Sequence, residues 1–415
     1  MKIDKGIWTL TTMTGPSSEY PGGVDFNSMS RASNGNRVVA FSLGTQGDPN
    51  IMVSSDNGKT WGDLPSGLPF TPTFNSRIVI FIDENDYLHL IHSSWSYMEY
   101  YYYYGTPNTG RTDWSWSAVK GTVAATRHWI GTPSMKAFDW DGDTYVVWGV
   151  GESYGPESTR SIQFRVWRHT GGVGGTVSLI QNYEVDWTSS TGGDAAYIEF
   201  RTLDGKTVDT APDIFYHSYG YDQGIYKLTF NGTNWTFGSR FLNDVETPRL
   251  SIWNGNDDRY SWCLPSVDNR YAQIKERNLA NTTSYLEVST PQLPQYYFYW
   301  CEGAAMDRET GDAVFVGTDS ALGGKTLSAV YYDRLLDTWT DPVDILPDEA
   351  WDYNLIGCAG QVNSSMGHAY GLATEPQTFD FILRGSLASN DDYMFYLLKY
   401  ELKGGQGGGF GAFGL

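Results

Sequence analysis

Carboxylates alternate along the stretch DWDGDTY, which runs from Asp139 to Tyr145. Oxygen ligands at alternating positions are what a calcium-binding loop offers to its ion. A loop of the EF-hand type also needs a bidentate Glu at its twelfth position, and Val150 stands there. The central Asp-Gly pair is instead typical of a tight β-hairpin turn. We therefore predict a hairpin here, with no metal and no cofactor.

Tyrosines dominate a second stretch, SYMEYYYYYGT, which covers residues 96 to 106. In a strand, successive tyrosines point to opposite faces, so one face would join a core. The other face is either core as well or an aromatic platform for sugar rings or a protein neighbour. Burial on both faces is the favoured expectation, because large aromatic side chains usually pack.

The stretch SSDNGKTW has the composition of a closed turn with a tryptophan lid. A carboxylate at Asp56 accepts hydrogen bonds from the turn backbone, while Gly58 supplies a positive φ. The residues that define the pattern are Ser54, Asp56, Gly58, Thr60 and Trp61. They predict a local structure and no reaction.

This pattern resembles the Asp-box of sialidase-like, or BNR-repeat, β-propellers. In that family the motif closes the hairpin between the outer strands of a blade, away from the central pocket. Sialidase-like catalysis would also need an arginine cluster and a Tyr-Glu nucleophile pair. Arg77, in NSRIVI, stands where the family often has its first arginine, but Val79 replaces the proline of that motif. Sialidase activity is therefore not favoured.

Two further stretches are more similar to BNR-type propellers that include polysaccharide lyases acting on uronate-containing glycans. The similarity lies in FNSRIVIFIDENDYLHLIHS and GTPSMKAFDWDGDTYVVWGVGES. Their β-elimination needs a base, an acid and a cation that neutralises the carboxylate. The resemblance nominates Arg127, His128 and Tyr219 for these roles. Packing or capping is the alternative role for each.

Polar turns that end in tryptophan recur along the chain and indicate the elements that position these groups. They end at Trp61, Trp114, Trp235 and Trp339, and the spacings suggest units of about 50 residues. The longest interval holds two units plus an expected insertion at residues 170–194, two Gly-rich turns around a short strand. Paired strand signals flank each tryptophan turn, which gives four strands per unit and hence one propeller blade.

The sequence thus predicts an all-β fold, a seven-bladed β-propeller of four-stranded antiparallel blades. The blades are expected near 35–65, 74–120, 132–170, 194–240, 246–290, 299–346 and 352–402. Residues 6–13 form a spare strand, which we expect to close the ring by pairing with the last blade. The propeller would occupy residues 1–402, with a Gly/Phe-rich tail at 403–415.

Seven of the twelve residues from 404 to 415 are glycine, and Phe410, Phe413 and Leu415 stand among them. Such a segment cannot bury enough surface to order itself. The three apolar side chains are therefore candidate contacts to a partner protein.

The formal charge of −20 argues against nucleic-acid binding, which needs a basic surface. Three separated cysteines indicate neither a disulfide framework nor a zinc site. A run long enough to span a membrane is not found in the sequence, and residues 1–15 lack the apolar core of a signal peptide. We expect synthesis in the cytoplasm, with a virion or extracellular location after lysis.

Taken together, these patterns favour a structural or adhesion propeller of a larger assembly, most specifically a phage virion or tail component. Its partners would be other assembly proteins, further copies of itself as a homo-oligomer, and cell-surface polysaccharide. A uronate-specific lyase and a free lectin-like glycan binder remain alternatives.

Overall fold

The computed structural model describes the backbone of most strands and of the turns in the first half of the chain. The described residues are 6–13, 28–43, 48–72, 76–94, 98–124, 129–130, 134–154, 159–187, 196–200, 207–208, 211, 214–218, 224–242, 250–254, 259–265, 272–278, 286–289, 300–306, 312–318, 327–333, 335–341, 343–344, 378–386 and 393–402. Within them the regular elements are β-strands without a helix. The all-β prediction is confirmed for this part of the chain, and it holds no helix that could cross a membrane.

The strands form four sheets over residues 28–242. The first sheet contains β2 (Ser28–Arg31), β3 (Arg37–Leu43), β4 (Asp48–Ser54) and β5 (Gly62–Asp63). The second contains β6 (Arg77–Ile82), β7 (Leu88–Ser94), β8 (Glu99–Pro107), β9 (Trp114–Trp116) and β10 (Gly121–Ala124). The third contains β11 (Trp129–Ile130), β12 (Ser134–Trp140), β13 (Asp143–Tyr154), β14 (Thr159–Thr170), β15 (Thr176–Trp187) and β17 (Thr207–Val208). The fourth contains β16 (Ala196–Phe200), β18 (Ile214–Ser218), β19 (Gly224–Phe230) and β20 (Trp235–Leu242).

Three further sheets follow among the described residues. The fifth contains β21 (Leu250–Asn254), β22 (Arg259–Pro265), β23 (Ala272–Asn278) and β24 (Leu286–Ser289). The sixth contains β25 (Trp300–Met306), β26 (Ala313–Thr318), β27 (Leu327–Asp333), β28 (Thr338–Trp339) and β29 (Val343–Asp344). The seventh combines β30 (Thr378–Ser386), β31 (Tyr393–Leu402) and β1 (Gly6–Thr12), and β1 runs antiparallel to β31 along its whole length.

Each of the first six sheets has a core of antiparallel strands that pair in chain order. Sequential antiparallel pairing needs only short hairpin turns, which explains the Asn, Asp and Gly clusters between strands. Short strands depart from this order: β10 pairs with β8, β11 with β13 and β29 with β27, all antiparallel, and β17 pairs parallel with β12. The four-stranded antiparallel sheets expected from the repeats are therefore present.

The first four sheets pack face to face in chain order. One apolar cluster joins the first and second sheets, the next joins the second and third, and another joins the third and fourth. The strands β2, β6, β12, β16, β21, β25 and β30 each contact the following one in that order. Stacked sheets with one strand of each lining a common side are the arrangement found in β-propellers.

The tyrosine strand β8 shows how one sheet serves two cores. Tyr100 and Tyr102 are fully buried against the third sheet, whereas Tyr103 is buried against the first. Tyr101 packs against the same cluster as Tyr103 and keeps partial exposure. The expectation of burial on both faces is thus confirmed, since this sheet is covered on both sides.

The expected insertion at residues 170–194 is wrong over its first part. Positive φ values at Gly171, Gly172 and Gly174 reverse the chain, and β15 then pairs along β14 as the outermost strand of the third sheet. The strands β13, β14 and β15 have 12 residues each. Long strands, rather than an insertion, account for much of the wide interval between Trp114 and Trp235, and this sheet extends past residue 170.

Candidate functional site

The DWDGDTY stretch forms the β12–β13 hairpin. Asp141 and Gly142 both have positive φ, at 52° and 78°, which defines a two-residue type I′ turn. Asp139 accepts hydrogen bonds from Thr144 and from Asn85 of the neighbouring sheet. The Asp139 carboxylate is thus hydrogen-bonded to protein groups. Within the described residues, no group of three or more His, Cys, Asp or Glu side chains could hold a metal ion.

The SSDNGKTW stretch closes the hairpin between β4 and β5, the third and fourth strands of the first sheet. Asp56 Oδ1 accepts the backbone N–H of Thr60 at 2.8 Å, and Oδ2 accepts the Thr60 hydroxyl at 2.6 Å. The Ser54 hydroxyl donates to Asp56 and accepts from Gly58 N–H, both at 2.9 Å. The Trp61 indole donates to the Gly58 carbonyl at 3.1 Å. Every residue of the pattern thus contributes to one turn.

Hydrogen bonding decides the electrostatics of that turn. The Thr60 hydroxyl and Thr60 N–H stabilise the ionised form of Asp56 and lower its pKa to about 2. Asn57 and Gly58 both adopt positive φ, at 64° and 82°. The turn is therefore built around a carboxylate that stays charged and is engaged by its own backbone.

The residues nominated for β-elimination, Arg127, His128 and Tyr219, lie outside the described residues. The partner-contact candidates Phe410, Phe413 and Leu415 lie outside them as well. Arg77 begins β6, where its backbone pairs with Ser93. The roles assigned to these residues remain predictions.

A chain of four buried polar side chains, which the sequence did not reveal, links the second and third sheets. His89 Nε2 lies 3.0 Å from Asp83 Oδ2, and His89 Nδ1 lies 2.8 Å from the Tyr102 hydroxyl. The same hydroxyl lies 2.7 Å from His169 Nε2 on β14. All four side chains are buried. We name Asp83, His89, Tyr102 and His169 the histidine–tyrosine chain.

One set of tautomers satisfies the histidine–tyrosine chain without a charged imidazole. His89 Nε2–H donates to Asp83, the Tyr102 hydroxyl donates to His89 Nδ1, and His169 Nε2–H donates to the Tyr102 oxygen. His169 Nδ1 then carries a lone pair, and it has no hydrogen-bond partner in the described part of the chain. Burial lowers the pKa of His169 to about 3, with smaller contributions from His89 and Lys120.

An Asp–His–Tyr sequence of contacts has the order of a general-base relay, yet its tyrosine is not available as a nucleophile. Burial raises the pKa of Tyr102 well above its ordinary value, and the Asp83 carboxylate and Tyr104 act in the same direction. Tyr102 is fully buried and stacks on Trp167 at 4.9 Å between ring centroids. This group of side chains therefore holds two sheets together.

A second cluster lies on the opposite face of β7 and β8, toward the first sheet, and is partly exposed. His92 stacks flat on Phe70, with 3.7 Å between ring centroids, and its Nε2 lies 3.1 Å from the Ser76 hydroxyl. Tyr101 also stacks on His92, with 5.7 Å between ring centroids, and the Tyr101 hydroxyl donates to the Glu99 carboxylate. We name Phe70, Ser76, His92, Glu99 and Tyr101 the aromatic cluster.

Within the aromatic cluster, burial lowers the pKa of His92 to about 3. His92 is neutral at ordinary pH and is therefore no cation for a carboxylate ligand. Phe70, Glu99 and Tyr101 keep partial exposure, whereas Ser76 and His92 are buried. The sequence signal for this site was the tyrosine run, but nothing local connected Phe70 to it.

Comparison with known proteins finds no matching family model and no matching curated protein. Among solved structures, an α-L-arabinanase of Penicillium chrysogenum is 12% identical with a TM-score of 0.42, over 95% of this chain and 98% of that one. An α-L-arabinofuranosidase of Fusarium graminearum is 11% identical with a TM-score of 0.41, over 79% and 98%. A Hadza microbial sialidase is 9% identical with a TM-score of 0.37, over 79% and 68%. At TM-scores below 0.5 we take no function from these three.

Proposed function

We propose that this chain is a non-enzymatic scaffold, a β-propeller that positions a binding segment within a larger assembly. The observation that supports this most is that the ionisable side chains between the second and third sheets are buried and hydrogen-bonded to one another. The histidine–tyrosine chain is buried and its tyrosine is closed to solvent. The histidine and tyrosine side chains, which would suit catalysis, therefore form hydrogen bonds that link the two sheets.

The scaffold is proposed to be a seven-bladed ring formed by residues 1–402. Seven sheets in chain order and the pairing of β1 with β31 support this number and this closure. In a ring of this kind a strand from one end of the domain completes the last blade, so that no open edge is left at the junction. The 54–61 turn then has the structural role of an Asp-box on the first blade.

The assembly partner is proposed to bind residues 403–415. No charged side chain follows Lys403 in this segment, and Phe410, Phe413 and Leu415 are its large apolar side chains. Ordering its glycines costs on the order of 1–2 kcal/mol per residue, so the partner must supply both apolar contacts and backbone hydrogen bonds. A phage virion or tail is the assembly that we put forward.

The test compares two versions of the gene in the genome that encodes this chain, one complete and one lacking codons 404–415. Particles are purified on a density gradient and probed with an antibody to the propeller. We expect the complete chain in the particles, and the truncated chain folded but absent from them. Truncated chain in particles at an unchanged level would make the segment a linker, and absence of both would reject the assembly role.

The aromatic cluster favours a second candidate function, which is binding of surface glycans. Partly exposed aromatic rings such as Phe70 and Tyr101 stack on sugar rings. A glycan array with the wild-type protein and the Tyr101→Ala variant tests this, and binding that the variant lacks is the expected result. Ultraviolet absorbance from new double bonds in uronate polymers, lost in His128→Ala, would instead establish the lyase.

A further inference from the structure

The outermost strand of the third sheet is unusually long. β15 has 12 residues, whereas the outermost strands β5, β24 and β20 of the first, fifth and fourth sheets have 2, 4 and 8. Within the described part of the chain, β15 pairs with β14 alone and stands at the end of its sheet. As far as the described strands go, one side of β15 therefore forms a long sheet edge.

This edge carries few of the features that keep an edge strand from pairing with another chain. Lys, Arg and Pro are absent from the sequence of β15, although they are the residues that usually protect an edge. The protective features that it does have are two acidic residues near its C-terminal end, Glu184 and Asp186, and a bulge at Ile180, which twists the strand. Leu179 and Tyr183 are 41% and 38% exposed, so apolar surface accompanies the open edge.

The edge is also held in place before any partner arrives. Gln181 is buried, and its side-chain amide bonds both the N–H and the carbonyl of Trp235 in the fourth sheet, at 2.9 and 2.5 Å. Val177 and Ile180 pack against the two neighbouring apolar clusters. A strand that is already ordered loses little conformational entropy when it pairs.

We propose that β15 is a self-association surface, at which the edges of two copies of this chain pair antiparallel about a two-fold axis. A two-fold interface uses the same patch on both copies and closes on itself. Antiparallel pairing places the neutral Thr176 end of one strand against the Glu184 end of the other. The acidic side chains of the two copies therefore do not face one another.

The surroundings of β15 extend this surface. β10 contacts β15, and Val119 in the loop before β10 is 45% exposed. Twelve residues of strand span about 40 Å, yet edge-to-edge pairing covers a narrow band. The dimer is therefore weak and concentration-dependent, and because each copy carries a charge of −20, added salt strengthens it.

Sedimentation velocity of the full chain over a wide range of concentrations tests the proposal. We expect a monomer–dimer equilibrium in the wild type, and a dimer that is weaker by about tenfold or more in Leu179→Lys and in Ser178→Lys. Each variant places a lysine on the edge without removing a buried group. Leu336→Lys is the matched control, because Leu336 is 57% exposed in the β27–β28 turn, and it is expected to leave the dimer unchanged.

Two further measurements separate this proposal from the assembly role of residues 404–415. Hydrogen exchange is expected to show protection of amides between residues 176 and 182 at high protein concentration and its loss on dilution. The chain without residues 404–415 is expected to dimerise as the full chain does. A monomer at every concentration, or a dimer that both lysine variants leave intact while they remain folded, overturns the β15 proposal.

Discussion

We predict that this protein loses stability in mildly acidic solution, because two of its histidines are buried in the neutral form. His92 and His169 have their pKa lowered to about 3, each chiefly by burial, against an ordinary value of 6.5. Both stay neutral in the fold between these values, whereas the unfolded chain takes up protons there. The unfolded state therefore binds more protons, and stability falls as pH falls from 6.5 toward 3.

The size of the effect follows from proton linkage. At pH 5 an imidazole that is protonated only in the unfolded chain costs about 2 kcal/mol. The two histidines together cost about 4 kcal/mol, which is a large part of the 5–15 kcal/mol that stabilises a typical domain. Asp56, whose pKa is lowered to about 2, loses its contribution only below about pH 4 and does not affect this window.

Urea denaturation at pH 7 and at pH 5 measures the difference. The wild type is expected to lose several kcal/mol between the two pH values, and His92→Phe about 2 kcal/mol less, because the phenyl ring keeps the stack on Phe70 and cannot titrate. His169→Phe should reduce the loss by a similar amount. An identical pH dependence in the wild type and both variants would refute the assignment of neutral, buried imidazoles.

Two other substitutions test local packing. Asp56→Ala should lower the free energy of unfolding, measured by thermal denaturation, by about 1–2 kcal/mol, the cost of a lost turn cap. The control Ser55→Ala should leave this free energy nearly unchanged. Equal values for both variants would contradict the turn role of Asp56. Gly121→Ala should cost about 1–3 kcal/mol, because its Cβ would lie 2.6 Å from Trp167 Nε1, whereas Gly62→Ala meets nothing within 4 Å and should be tolerated. A Gly121→Ala protein as stable as the control would show that Trp167 moves freely.

Local patterns were sufficient to predict the hairpins. The type I′ turn at Asp141-Gly142 and the turn around Asp56 follow from side chains within a few residues of one another. Four tryptophan turns stand at the third-to-fourth strand connections of their sheets, at Trp61, Trp114, Trp235 and Trp339. Such features depend on φ preferences and on hydrogen bonds between residues close in the chain, and both follow from the local residue types.

Strand length was less predictable. The glycines at 171–175 are compatible with an insertion or with a tight reversal inside a sheet, and the sequence alone favoured an insertion of two turns around a short strand. Pairing along β14 decides between them, because the backbone groups of β15 find their partners on a strand that is already in place. The length and edge position of a strand such as β15 therefore become evident only in the assembled sheet.

The amino-acid sequence by itself determined the all-β class, the repeated hairpins and the turn chemistry of this protein, because each depends on neighbours in the chain. Only the tertiary structure decided what the histidines and tyrosines do. Tyr102 and His169 are 67 residues apart and yet share a hydrogen bond, and no periodicity encodes that distance. The packing of one sheet on the next brings them together and excludes water, which converts side chains suited to catalysis into a buried contact between sheets.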